Sequence, residues 1–369
     1  MRKLYQLKIL AYIGLVAMAS LLGFLLLSLC IPKFQADKSS QQLYTIRHQE
    51  LRDNNQLYTN LFLQSIKENN GYLVLGTSES TSLPDGNYYD FLNADTSLPY
   101  KFSVISGAGR TPCTYFPLIQ SNKNVEGLKI LFFINPRYWS DRLASKNAEY
   151  FDRYVSFVEY KLSNKTDNQQ VENILNVNQK YLPLSSRIGE WGWFAFEKLH
   201  RKYYQDLVFT LHPEKFNQSL SYFNTKLSLD EYGNAMELDS TQFDFEYNVM
   251  LPAESHLGVL KVDTTITYRY DELRAMIALC KEHKVDITFI VGPYNQKVFE
   301  QTCPSEVPKI EAVCRNIQAI CEHEGVPYID VTDLSDQLGA FSDYQHHSSY
   351  GAYLIYQRIK TYVFEKEKF

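Results

Sequence analysis

Apolar positions along the chain fall into three patterns, and each predicts a different element. An apolar run from Ile9 to Ile31 is interrupted only by glycine, Ser20, Ser28 and Cys30. At ~1.5 Å per residue such a run covers the ~30 Å hydrocarbon core of a bilayer, whereas a cleaved secretory signal carries only about 7–15 apolar residues. Its small-residue triplet Ala17-Met18-Ala19 lies mid-run with Leu21 to Leu29 still to follow, so the run predicts an uncleaved anchor. Cys30 follows the bulky Leu29, which disfavours lipidation. The second pattern is short and mostly apolar: Tyr72–Leu75, Phe102–Ile105, Leu128–Ile134, Val285–Val291 and Pro327–Val331 predict buried strands. The third has helical spacing. Leu273, Met276, Ile277 and Cys280 predict a helix over Tyr270–His283, and Ile310, Val313, Ile317 and Ile320 predict one over Val307–His323.

Helices alternating with short, doubly apolar strands imply a parallel sheet covered on both faces, a three-layer α/β arrangement in which ligands sit beyond the strand C-termini. Arg2, Lys3 and Lys8 precede the apolar run, so the positive-inside rule puts residues 1–8 in the cytoplasm, 9–31 across the membrane and the remainder outside. Residues 32–70 read as a stalk and entry helix. Residues 71–369 read as an extracytoplasmic catalytic domain with an insertion at about 140–263, where the strand–helix rhythm lapses. Within the insertion, Trp191, Trp193, Phe194 and Phe196 are followed by Lys198, His200, Arg201 and Lys202. That pattern suits a helix docked on a membrane surface or a partner, but aromatic stripes are usually buried, which favours an ordinary amphipathic core helix.

Composition narrows the function classes. The chain has 369 residues with 45% hydrophobic, enough for a sizeable core, and 37 basic against 42 acidic side chains leave a net charge of -5. No global positive field is available to hold nucleic acid. The six cysteines show no CxxC spacing. Five lie outside the apolar run, so at least one is unpaired within the chain, and pairing among Cys303, Cys314 and Cys321 is left open. Outside the cell there is no ready ATP or NAD(P)H, which favours hydrolysis or group transfer, and no cofactor is expected.

Chemistry concentrates at two places. Leu75-Gly76-Thr77-Ser78-Glu79 puts a serine on a glycine turn directly after a buried strand, and Asp343-Tyr344-Gln345-His346 supplies a carboxylate and an imidazole after the last one. Serine is a weak nucleophile until a base takes its proton and a carboxylate orients that base. Strand ends at one edge of a doubly wound sheet can bring Ser78, His346 and Asp343 together. The adjacent His346-His347 lacks metal-ligand spacing, so no metal site is expected.

A Gly-x-Ser turn after the first strand and a late Asp-x-x-His resemble the SGNH (GDSL-like) hydrolase superfamily, and within it the DltD family most. The matching positions are Gly76-Thr77-Ser78-Glu79, the stretch Gly292-Pro293-Tyr294-Asn295-Gln296-Lys297, and Asp343 through His346 with Gly351 following. The resemblance implies a flavodoxin-like α/β/α fold with Ser78, His346 and Asp343 as the triad, and His347 as a bystander. It implies Gly109, in Ser106-Gly107-Ala108-Gly109-Arg110-Thr111, and Asn135 as oxyanion donors. Arg137 shares Asn135's run and is the alternative donor, while Glu79, Arg137 and Asn295 are the candidates for substrate contact or support. The function implied is O-acylation, by D-alanyl or acetyl groups, of an envelope glycopolymer such as teichoic acid through an acyl-serine. The implied partners are a membrane-bound O-acyltransferase and a glycopolymer or acyl-carrier substrate. Two other readings stay open: a non-catalytic protein presenting carrier or polymer to that acyltransferase, and a simple anchored lipase or thioesterase.

Overall fold

A computed structural model of the chain describes residues 2–32, 34, 63–80, 86–105, 112–120, 123–138, 199, 201–215, 261–262, 264 and 268–366. The chain divides into two compact units, Met1–Ser40 with Ile188–Leu220, and Gln41–Arg187 with Ser221–Phe369. In the first, α1 (Arg2–Cys30) contains Lys8–Cys30, the one helix among the described residues long and apolar enough to cross a membrane. Residues 35–62 of the stalk, most of the insertion and the Trp191–Phe196 cluster lie outside the described residues.

The second unit is built on five parallel strands: β1 (Tyr72–Leu75), β2 (Phe102–Ile105), β3 (Lys129–Ile134), β4 (Asp286–Val291) and β5 (Tyr328–Asp330). Their order is β2-β1-β3-β4-β5. All five coincide with the apolar blocks to within a residue or two at each end, because a strand buried on both faces is mostly apolar along its length, Ser103 and Thr288 being buried polar exceptions. Registers such as Val74 opposite Val104 and Leu131 align the strand C-termini along one edge. The order reverses direction between β1 and β3, the position beyond which ligands bind in open α/β sheets.

Alternation of side chains divides the core between the two sheet faces. On one, Val74, Val104, Leu131, Phe133, Ile290 and Ile329 pack under α2 (Tyr88–Ala94) and the C-terminal helix, through Phe91, Ile355 and Ile359. On the other lie α3 (Phe116–Gln120), α4 (Tyr268–Glu282) and α6 (Val307–Glu324), with Leu273, Met276, Ile277, Ile310, Val313 and Ile317 fully buried. Between them in sequence, α5 (Gln296–Thr302) follows β4, and α7 (Ser349–Lys366) ends the fold. All six cysteines are free thiols. Cys314 and Cys321 share α6 two turns apart, ~10 Å along the axis, which is beyond disulfide reach.

Candidate active site

The C-terminal ends of β1 and β3 and the loop before α7 supply the site. Beyond β1 the chain turns at Gly76 into a 3-10 turn, Ser78–Ser80. Only glycine fits there, since a Cβ at Gly76 would lie 2.1 Å from Ser80 Oγ and 2.8 Å from Ser80 Cβ. The tight turn keeps Thr77, Glu79 and Ser80 buried while leaving Ser78 partly exposed at the sheet edge. Tyr115 braces it by donating its hydroxyl to Gly76 O, and Ser80 Oγ lies 2.5 Å from Tyr88 Oη.

The loop residues 342–347 meet this turn. His346 Nε2 is 2.9 Å from Ser78 Oγ, and His346 Nδ1 is 2.7 Å from Asp343 Oδ2. The second carboxylate oxygen, Asp343 Oδ1, accepts the backbone N–H groups of Gln345 and His346, both at 2.7 Å. Ser78, His346 and Asp343 are therefore brought into one continuous chain of hydrogen bonds across 268 residues of sequence. With Asp343 accepting at Nδ1 and the Gln345 amide also within 3.0 Å of Nε2, the fitting tautomer carries its proton on Nδ1 and leaves Nε2 as acceptor.

Electrostatics follow from the same contacts. Burial alone would raise the Asp343 carboxyl, but hydrogen bonds from the His346 ring and from the backbone N–H groups outweigh it, and its pKa falls below the ordinary value. Burial likewise lowers His346, yet the hydrogen bond to Asp343 and the charges of Glu79 and Asp343 carry its pKa above the ordinary histidine value.

Around this chain sit the other candidates. Asn135, directly after β3, donates from Nδ2 to Glu79 Oε1, while its Oδ1 accepts the Arg137 backbone N–H at 2.9 Å. The amide is thus clamped from both ends. Glu79 is 3% exposed, and burial raises its pKa despite the lowering effect of His346, of its own backbone N–H, of Asn135 and of Arg137. The Arg137 guanidinium lies 5.0 Å from the centre of the Tyr344 ring, holding the loop that carries Asp343. Asn295 caps α5 by accepting Val298 N–H at 3.2 Å and donates from Nδ2 to Asp343 O at 2.9 Å, so it ties the end of β4 to the same loop. Gly109 lies outside the described residues.

His347, a bystander in the sequence reading, is buried and structural. Its Nε2 donates to Asn87 Oδ1 at 2.9 Å, and Asn87 in turn caps α2 and donates from Nδ2 to Glu79 O at 2.8 Å. Burial, then the neighbouring charge of His346, pushes its pKa down to about 3, so it stays neutral. The two adjacent imidazoles are separated by environment: one opens to Ser78, the other is enclosed near Tyr88 and Phe133. Asn87 escaped the sequence reading although Asn87-Tyr88-Tyr89-Asp90 carries a capping signal, with Asn87 N–H donating to Asp90 Oδ2 at 2.6 Å. Gly351 is set by the same loop, since a Cβ there would lie 2.0 Å from Ala340 O.

A comparison with curated proteins gives no match. A family model described as DltD protein matches residues 259–363, a segment that holds β4, β5, Asn295 and the Asp343–His346 block but not Ser78, and by this match the chain is DltD-like.

Proposed function

We propose that the chain is a membrane-anchored, extracytoplasmic serine acyltransferase or esterase that passes an acyl group to a cell-envelope glycopolymer. The DltD family takes part in D-alanylation of teichoic acid, which makes D-alanyl the favoured acyl group over acetyl. The observation that carries the reading is the 2.9 Å and 2.7 Å relay from Ser78 through His346 to Asp343. His346 Nε2 takes the proton of Ser78 Oγ as the oxygen adds to the acyl carbonyl carbon. Asp343 holds the imidazolium through Nδ1–H.

The carbonyl electrons move onto oxygen, where the Ser78 backbone N–H, Gly109 and the second Nδ2 hydrogen of Asn135 act as donors. Glu79 and the Arg137 backbone fix the Asn135 amide so that this hydrogen is the one left for substrate. Collapse breaks the bond to the donor's alkoxide or thiolate, which leaves with the proton from His346, and acyl-Ser78 remains. In the second half His346 takes a proton from a glycopolymer hydroxyl or from water as that oxygen adds to the acyl carbon, and collapse breaks the ester bond while the proton passes from His346 to Ser78 Oγ. A membrane-bound O-acyltransferase is the proposed partner, with the glycopolymer or an acyl carrier as substrate. The N-terminus is placed in the cytoplasm and the second unit outside.

The test is covalent labelling by a fluorophosphonate. The intact chain should label, and Ser78→Ala should not; unchanged labelling of that variant refutes the nucleophile. Envelope acylation restored equally well by Ser78→Ala and His346→Ala would make the chain a presenting protein instead. Rapid turnover of short acyl esters by the chain alone would mark a simple lipase or thioesterase.

A further inference from the structure

Residues 201–215 are absorbed by none of the chemistry above, yet they are built onto the anchor. Arg201–Val208 is wound as a π-helix and runs into a helical turn, Phe209–Leu211. Tyr203 Oη donates to Phe24 O at 2.6 Å, and the two rings lie 4.2 Å apart, tilted by 30°. The neighbouring Lys202 Nζ donates to Ile31 O at 3.0 Å and pairs with Asp206 at 3.2 Å. Asp206 accepts the Phe34 backbone N–H at 2.9 Å, and the Phe34 ring meets Phe209 edge-on at 5.5 Å. The segment is therefore fastened to the C-terminal end of α1 at Phe24, Ile31 and Phe34.

Depth follows from helix geometry. Phe24 precedes Cys30 by six residues, ~9 Å along the axis. With Lys8–Cys30 as the span, its 23 residues only slightly exceed the hydrocarbon thickness, so a ring stacked on Phe24 lies below the headgroups. Tyrosine suits that depth, with its ring among acyl chains and its hydroxyl on a backbone carbonyl, while Lys202 keeps its ammonium at the polar boundary. The remaining surface is of the same kind. Tyr204 is 46% exposed and Leu211 64% exposed, with the exposed Lys215 close by.

We infer that residues 201–215 form a membrane-interface element, which returns the chain to the bilayer and presents Tyr204 and Leu211 to lipid, with Lys202 and Lys215 at the level of the phosphates. The inference rests on reading Lys8–Cys30 as the span and is independent of the acyl-transfer chemistry. Its consequence is a second point of attachment at the surface beside the helix that crosses it.

The full-length chain in nanodiscs of phosphatidylglycerol and phosphatidylcholine tests it. An environment-sensitive fluorophore is placed by Leu211→Cys in a Cys30→Ser, Cys303→Ser background, with Leu15→Cys marking the span and Arg315→Cys marking the second unit. Lipids carrying a nitroxide near the glycerol end of the acyl chain should quench the Leu211→Cys label roughly two-fold or more beyond the Arg315→Cys label, with a blue-shifted emission. Quenching at Leu15→Cys, by lipids labelled deeper in the chain, without quenching at Leu211→Cys overturns the inference. So does a blue-shifted Leu211→Cys label that no lipid nitroxide quenches, since protein then covers it. Loss of quenching at both Leu15→Cys and Leu211→Cys removes the span reading and the inference together.

Discussion

Gly76→Ala tests whether the turn beyond β1 places the nucleophile. The added methyl would sit 2.1 Å from Ser80 Oγ, whereas ordinary contacts begin near 3.4 Å, so about 1.3 Å must be made up by movement. Ser80 cannot rotate away freely, because it is fully buried, its Oγ is bonded to Tyr88 Oη at 2.5 Å, and its N–H donates to Thr77 O at 3.1 Å. Its own Cβ, at 2.8 Å from the new methyl, is a second obstruction. The three-residue turn that carries Ser78 must therefore shift. A displacement of ~1 Å takes the 2.9 Å bond between Ser78 and His346 out of hydrogen-bond range. Overpacking of this kind costs about 1–3 kcal/mol, and an ångström of misplacement at the reacting atom about 10²-fold in rate. The assay is the rate of fluorophosphonate labelling beside a thermal melt. Adding Ser80→Ala removes the closer clash and leaves the Cβ contact, so labelling should recover in part. Labelling of Gly76→Ala within about two-fold of the intact chain, with an unchanged melt, would refute the placement.

Asp343→Asn should keep the loop but present the wrong partner to Nδ1, lowering turnover of a short acyl ester by about 10³–10⁴-fold, measured as kcat at saturating substrate. Because the base must be neutral and its folded pKa is raised, the acid limb of the kcat/KM profile should lie above the ordinary histidine value. Glu79→Gln removes one of the charges that raise it and should move that limb to lower pH; an unmoved limb rejects the coupling. His347 is buried neutral with a pKa near 3. In the unfolded chain it binds a proton below its ordinary value, so its contribution to stability is complete above about pH 6.5 and is lost as pH falls toward 3. A melting series against pH checks this: His347→Gln should flatten the acid side of the curve, and because the bond to Asn87 weakens it should also lose about 1–3 kcal/mol near neutrality.

Much of this protein is written in local sequence, because two of its signals need no tertiary context. The long N-terminal apolar helix is legible because its apolar positions run almost unbroken from Ile9 to Ile31. The five strands are legible since a strand covered on both faces must be largely apolar, and the Gly76 turn could be read because its serine follows such a strand directly. Ser78, Asp343 and a neighbouring imidazole are nameable from residue types and order, and the resemblance to the SGNH superfamily implies His346 rather than His347. What residue types left undecided was which imidazole faces Ser78. His346 and His347 are chemically identical and adjacent, and only the loop separates them, turning one toward Asp343 and Ser78 and burying the other against Asn87. The clamp on Asn135 by Glu79, the tether of Asn295 to the Asp343 loop and the fastening of Tyr203 to Phe24 are likewise decided by the fold alone. Their partners lie 56, 48 and 179 residues apart. Periodicity reports which face of an element is apolar, but only the packed chain determines which distant polar atom a buried donor will find.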